Sequence, residues 1–189
     1  MEIAFLVAIV LLVLFAILGM YDGFYLHIFK YKLYQHAESK GEHITHTIRA
    51  LLFPAILYFL YLRNDAFGFY LGLIFLGIDV AVTIIDAYVE KDSRTFMGGL
   101  PRGEYIIHLL VNGFHFAAIA VFLLIKIRLS DSGFTLINNH ETIPFYNSFI
   151  WLVENLIPGA IVMALIHLFV AIPPLAKYWN HYRSKISCC

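Results

Sequence analysis

Residues 67–89 read FGFYLGLIFLGIDVAVTIIDAYV. At ~1.5 Å of rise per residue this stretch makes a helix roughly 34 Å long, enough to cross the hydrocarbon core of a bilayer. Its only charges are Asp79 and Asp86, with Glu90 directly after it. Such a run is far too apolar for the surface of a soluble domain, and its acids are costly inside a membrane. It sets the fold class and the functional question together.

Four more stretches of the same kind flank it, at about 3–29, 44–62, 105–125 and 149–172, with Pro54 and Pro158 inside the second and last. The chain as a whole agrees. It is 61% hydrophobic and 14% charged, with a mean hydropathy of +0.78. Soluble domains carry about a quarter charged residues. A water-soluble globule and a disordered chain are therefore excluded. A nucleic-acid binder is excluded too, because 13 Lys and Arg balance 13 Asp and Glu and leave no net field for a polyanion. No period-2 alternation runs through the apolar stretches, so helices rather than barrel strands are expected. The reading is an all-α integral membrane protein, one domain over 1–189, built as a bundle of five transmembrane helices. The first stretch lacks a basic flank and a small-residue cleavage motif, so it is expected to be a span rather than a signal.

The cations orient this bundle. Lys30, Lys32, Lys40, Arg49, Lys91, Arg94, Arg102, Lys177, Arg183 and Lys185 fall on one side, and Arg63, Lys126 and Arg128 on the other. The positive-inside rule then puts the N-terminus outside and the C-terminus in the cytoplasm. Residues 127–147, the longest loop, read as an outer connector. Cys188 and Cys189 form an adjacent terminal pair, a lipidation candidate or an exposed tail.

On that orientation every span sends acids or imidazoles toward the cytoplasmic half. The candidate metal ligands are Asp22, His43, His46, Asp79, Asp86, Glu90, Glu104, His108 and His115. At ~100° per residue, Asp79, Asp86 and Glu90 share a face within roughly 40°, and so do Glu104, His108 and His115. The third span spaces them 7 then 4, the fourth 4 then 7. An antiparallel hairpin would bring Asp79 level with His115, Asp86 with His108, and Glu90 with Glu104. Three acids on one lipid-embedded face resist ionisation unless they share protons or cations.

Each candidate carries a plainer reading beside this one. Glu90 and Glu104 border a loop, and Glu104, three residues after Pro101, suits a helix first turn. His43 and His46 can share one helical face, and Glu42 with His46 another. Asp22 and His27, five apart, fall about 140° apart on a regular α-helix unless Gly23 loosens the turn. Asp22 is the deeper, so His27 joins Glu42, Asn112 and His167 as supporting or alternative ligands. Arg49 either snorkels to lipid phosphate or pairs with a site acid. His36, His140 and His181 read as surface residues, and Glu154 and Asn155 as remote from the cluster.

Carboxylate and imidazole without thiolate suit two divalent ions, with iron expected ahead of zinc or manganese. The ligand set resembles that of di-iron carboxylate bundles, although the HxxxH and HxxHH boxes of membrane hydroxylases and desaturases are absent. The expected function is an oxidoreductase acting on a lipid-soluble acyl chain, isoprenoid or quinone, supplied with electrons by a cytosolic donor. The alternatives are a metal or proton transporter, an intramembrane zinc hydrolase and a b-type haem protein ligated by His115 and His167, or by His43 with another histidine.

Overall fold

The computed structural model describes residues 1–131 and 133–186, and Cys188 and Cys189 lie outside them. Five helices are long and apolar enough to cross a membrane. The first, α1 (Glu2–Met20), continues without a break as a π-helix over Tyr21–Lys30. A 3₁₀ turn, Leu33–Gln35, leads to α2 (Lys40–Ile56), which also ends in a π-helical segment, Leu57–Leu62. Next come α3 (Ala66–Ser93) and α4 (Arg102–Lys126), then α5 (Tyr146–Ala171) and a shorter α6 (Pro173–Ile186).

Each spanning helix runs past its sequence-derived bounds at one or both ends, because polar residues such as Glu42 and Glu104 still sit in helical turns. Two elements were not foreseen. Inside the expected connector, β1 (Ile127–Ser130) and β2 (Gly133–Leu136) pair antiparallel, with Ile127 opposite Leu136 and Gly133 taking φ +108° at the turn. Beyond the fifth span, α6 presents Tyr178 and Tyr182 beside Lys177, Arg183 and Lys185. Its polar ties to the bundle include Asn180, whose Oδ1 accepts from the Tyr34 hydroxyl at 2.6 Å, and Arg183, whose Nη1 donates to Phe29 O at 3.4 Å.

The principal packing pairs are α1 with α4, α2 with α3, and α2 with α5. Thus α3 and α4, neighbours in sequence, are not principal packing partners, and α1 meets α5 over a smaller contact. The fold divides along its length. The half near the β-hairpin is an aromatic and aliphatic plug. Phe122 stacks on Phe149 at 5.4 Å, Tyr61 meets Phe122 edge-on at 4.6 Å, and Phe5, Leu12 and Leu60 fill between them. His140, expected on the surface, is buried at this end between Phe5 and Tyr146, because the loop after β2 folds back over the helix ends. At the start of α3, Asp65 caps the helix by accepting from the Gly68 amide at 2.7 Å. That bond, with the Arg63 guanidinium, holds the Asp65 carboxyl below its ordinary range.

Gly72 lets α3 approach α2. A Cβ there would lie 2.8 Å from the backbone of Leu60. Overpacking of a tight contact costs about 1–3 kcal/mol. Gly72→Ala is expected to lower the melting temperature of the detergent-solubilised protein by several degrees, while Gly113→Ala, which meets open space, leaves it unchanged.

Candidate metal centre

The other half of the bundle holds the polar residues, and its organisation starts from the π-helix. Tyr31 N–H donates to Leu26 O at 2.8 Å, an i→i+5 bond. This wider turn brings residues five apart onto one face. Asp22 and His27 therefore both point inward, with His27 Nε2 3.5 Å from Asp22 Oδ1. His27, expected in a supporting role, stands at the centre and is fully buried.

His108 comes in from α4. Its Nε2 lies 3.0 Å from His27 Nε2 and 3.0 Å from Asp22 Oδ1. Metal bonds of ~2.1 Å would separate neighbouring ligand atoms by ~3.0 Å in an octahedral shell and ~3.4 Å in a tetrahedral one. The Asp22, His27, His108 triangle has edges of that size. Its Asp22 Oδ1 faces these two imidazole nitrogens. Behind His108, Nδ1 contacts the Glu90 carboxylate. A carboxylate on the far nitrogen of an imidazole fixes its tautomer and orientation, as in carboxylate–histidine–metal triads.

A second set lies beside the first. His46 Nε2 is 3.2 Å from Asp86 Oδ2 and 3.7 Å from Glu42 Oε1. Asp86 Oδ1 accepts from the Thr45 hydroxyl. The His27 and His46 rings meet edge-on at 4.2 Å, so the two sets adjoin. Among the described residues, two groups could hold a metal ion: His27 with His46 and His108, and His27 with Glu42 and Glu104, the donor atoms of each lying within 4.8 Å of one another.

Arg94 organises this end of the site, and the sequence reading counted it only as a loop cation. It is fully buried. Nη1 and Nη2 donate to the two oxygens of Glu42, and Nε and Nη2 donate to Glu104 Oε1. Nη1 also reaches Ser93 Oγ at 2.9 Å, and the Tyr31 ring lies 5.9 Å away. Ser39 Oγ donates to Ser93 O at 2.7 Å and ties the start of α2 to the end of α3.

Of the three expected rungs, the deepest forms. His115 Nε2 donates to Asp79 Oδ2 at 3.0 Å. Arg49 Nε donates to Asp79 Oδ1 at 3.2 Å and Nη2 to Asn112 Oδ1 at 2.8 Å. Arg49 thus takes the second of its two expected roles. Asp79, His115, Asn112 and Arg49 form a network, and Arg49 Nη1, 3.9 Å from Asp86 Oδ2, links it to the second set. The other two rungs do not form as drawn. His108 faces Glu90 and Asp22 instead of Asp86, and Glu104 faces Arg94 instead of Glu90. The cause is the packing order, since α3 lies on α2 and α4 on α1. His43 instead stacks its ring on that of His167 at 5.6 Å.

A cavity of about 340 Å³ opens between α1 and α5. Its wall includes Ala16 and Gly19 on α1 and Gly159 and Ala160 on α5, and its floor includes Asp22, His46, Asp79 and His115. Asn155, expected to be remote, lies on its rim.

Charge defines what this half of the bundle needs. Six carboxylates gather there: Asp22, Glu42, Asp79, Asp86, Glu90 and Glu104. Among the described residues, the guanidiniums within 4 Å of them are those of Arg49 and Arg94. Fully ionised, the site carries four negative charges beyond its arginines, to be met by protons on its imidazoles or by bound cations. Comparison with protein-family models, with curated proteins and with solved structures finds no match to this chain.

Proposed function

We propose that the protein is a membrane-embedded metal enzyme, an oxidoreductase acting on a lipid-soluble substrate through two divalent ions, with iron the favoured metal. The observation that carries this reading is the Asp22, His27, His108 triangle, with edges of 3.0, 3.0 and 3.5 Å and Glu90 behind His108. Two imidazoles and one carboxylate on one face of a metal, with positions left open, are the ligand set of non-haem ferrous oxygenases. Glu42, His46 and Asp86 offer the second ion one imidazole and two carboxylates. Two divalent ions would also neutralise the four excess negative charges. We read the basic end of the bundle as cytoplasmic, which puts the centre in the inner half of the bilayer with its cavity opening sideways to lipid.

The reaction class that fits is oxygen-dependent hydroxylation or desaturation. In hydroxylation one C–H bond of the substrate becomes C–OH. Dioxygen supplies one oxygen atom to the product and one to water, and a reduced cytosolic carrier supplies two electrons and two protons. The bound metals would supply the oxygen chemistry. The protein would hold them, orient His108 through Glu90, and keep bulk water away. Ion transport fits less well, because a path outward from Asp79 and His115 meets the ring-on-ring packing of Phe122, Phe149 and Tyr61.

The test is a reconstitution. Protein in nanodiscs made from host lipid extract, loaded with ferrous iron and given a reducing carrier, is expected to consume dioxygen. A lipid component should gain the mass of one oxygen or lose two hydrogens, and a chelator should stop it. Dioxygen uptake and lipid masses that do not respond to the metal would contradict the reading. Glu90→Gln is expected to weaken metal binding by roughly 10–100-fold, the usual effect of losing such an orienting carboxylate. Competition with a chromophoric chelator measures it.

A further inference from the structure

The short helix α6 packs one side on the bundle and turns the other away from it. It carries Lys177, Arg183 and Lys185, and its sequence, Pro173–Ile186, contains no Asp or Glu. On the inner side Trp179 meets the Phe24 ring at 6.1 Å, and Asn180 Oδ1 accepts from Tyr34 and Gln35. Arg183 donates to Phe29 O and lies over the Phe29 ring. At ~100° per residue the outer side gathers Lys177, Tyr178, His181, Tyr182 and Lys185 within roughly 140°. All five are exposed, Tyr178 by 63% and Tyr182 by 62%.

Depth decides what meets this face. Ile172 alone separates α6 from α5, so α6 begins where the fifth span ends. Its inner side rests on Phe24 and Phe29, near the end of the first apolar stretch, and on Tyr34 and Gln35 just beyond it. It therefore straddles the boundary between apolar and polar chain, which is the level of the phospholipid headgroups. Tyrosines are enriched at that level, and lysines reach phosphate there with their stems along apolar surface. A cytosolic protein would have to displace headgroups to reach a face at this depth.

The face also has a shape. A hollow at the start of α6 is lined by Pro173, Pro174, Lys177, Tyr178 and His181. Lys177 and His181 stand one turn apart on one side of the helix, and each carries an N–H donor, since either neutral imidazole tautomer keeps one. The proline rings and the Tyr178 ring supply the apolar part of the wall. One turn further on, Lys185 Nζ lies 5.5 Å from the Tyr182 ring, which the His181 ring also meets edge-on at 5.5 Å. A basic face without carboxylates attracts lipids of net negative charge over zwitterionic ones.

We infer that the outer face of α6 binds an anionic phospholipid, its headgroup phosphate held between Lys177 and His181, with Lys185 adding to the attraction. The inference is independent of the metal centre and of the reaction proposed for it.

The experiment reads the lipid beside α6. The chain has two tryptophans, Trp151 and Trp179, so the full-length Trp151→Phe variant fluoresces from α6 alone. It is placed in phosphatidylcholine vesicles that contain a minor share of dibrominated phosphatidylglycerol, or the same share of dibrominated phosphatidylcholine, whose bromines quench a neighbouring tryptophan. The anionic quencher is expected to reach Trp179 several-fold more often than its bulk share. Lys177→Gln and Lys185→Gln should each lower that preference about fivefold at low salt, the usual contribution of one interfacial lysine. His181→Ala should lower it too. Lys91→Gln, which removes the same exposed charge from α3, should leave it unchanged. Equal quenching by the two lipids, or a preference that Lys91→Gln lowers as much as the α6 substitutions do, would overturn the inference. So would its loss on adding inorganic phosphate or an oligoglutamate at constant ionic strength, which would assign the face to a free anion or to an acidic protein.

Discussion

Arg94→Gln will lower the melting temperature of the solubilised protein by about 10 °C. Removing one partner of a buried ion pair costs about 3–5 kcal/mol, because the other charge stays buried, and a chain of this size loses about 2–4 °C per kcal/mol. Arg94 is fully buried and serves two carboxylates, Glu42 and Glu104, so both are stranded. The companion variants make the result specific. Glu42→Gln or Glu104→Gln placed on Arg94→Gln should recover part of the loss, because each removes a stranded charge. Thermal unfolding of the single and double variants reads the coupling. A change within 2 °C for Arg94→Gln would mean that the buried clamp does not exist.

The second large effect concerns the metal. His108→Ala is expected to remove about one equivalent of bound metal per chain, because His108 Nε2 stands 3.0 Å from both Asp22 Oδ1 and His27 Nε2 and its loss opens the first set. His27→Ala should do the same. His43→Ala should keep the full complement, since that ring stacks on His167. His181→Ala, on exposed α6, is the control. Elemental analysis of the purified variants distinguishes them. Loss of metal in His43→Ala with retention in His108→Ala would reverse the assignment.

The contrast between His43 and His27 shows what the sequence could and could not carry. Span number and length follow from apolar runs and bilayer thickness, so the five long helices were legible to within a few residues. The gathering of Asp22, His46, Asp86, Glu90, Glu104 and His108 in one half of the bundle was legible for a related reason: depth is counted along a helix. Which side chains touch was not. The 140° offset between Asp22 and His27 assumed α-helical turns, and the π-helix of Tyr21–Lys30 cancels it. Gly23 hinted at a looser turn without saying how far it would extend. The ladder assumed that α3 and α4 pack together because they adjoin in sequence. The Asp79–His115 rung forms even so, while the two shallower rungs are redirected to Arg94, Asp22 and Thr45. Arg94 was hidden because a cation near a loop ordinarily meets solvent or lipid headgroups, and only the fold shows it turned inward.

His140 fails for the same physical reason in reverse. A histidine in a 21-residue connector reads as solvated, but the β-hairpin turns that connector back over the helix ends and buries the ring against Phe5 and Tyr146.

The most direct test of the account is the metal content of the unaltered protein, expressed in iron-supplemented cells, purified in mild detergent and counted by elemental analysis against protein concentration. The account predicts about two divalent ions per chain, matching the four negative charges that Arg49 and Arg94 leave unbalanced. Folded, monodisperse protein that carries no divalent metal and takes none up from ferrous, zinc or manganous salts would contradict it.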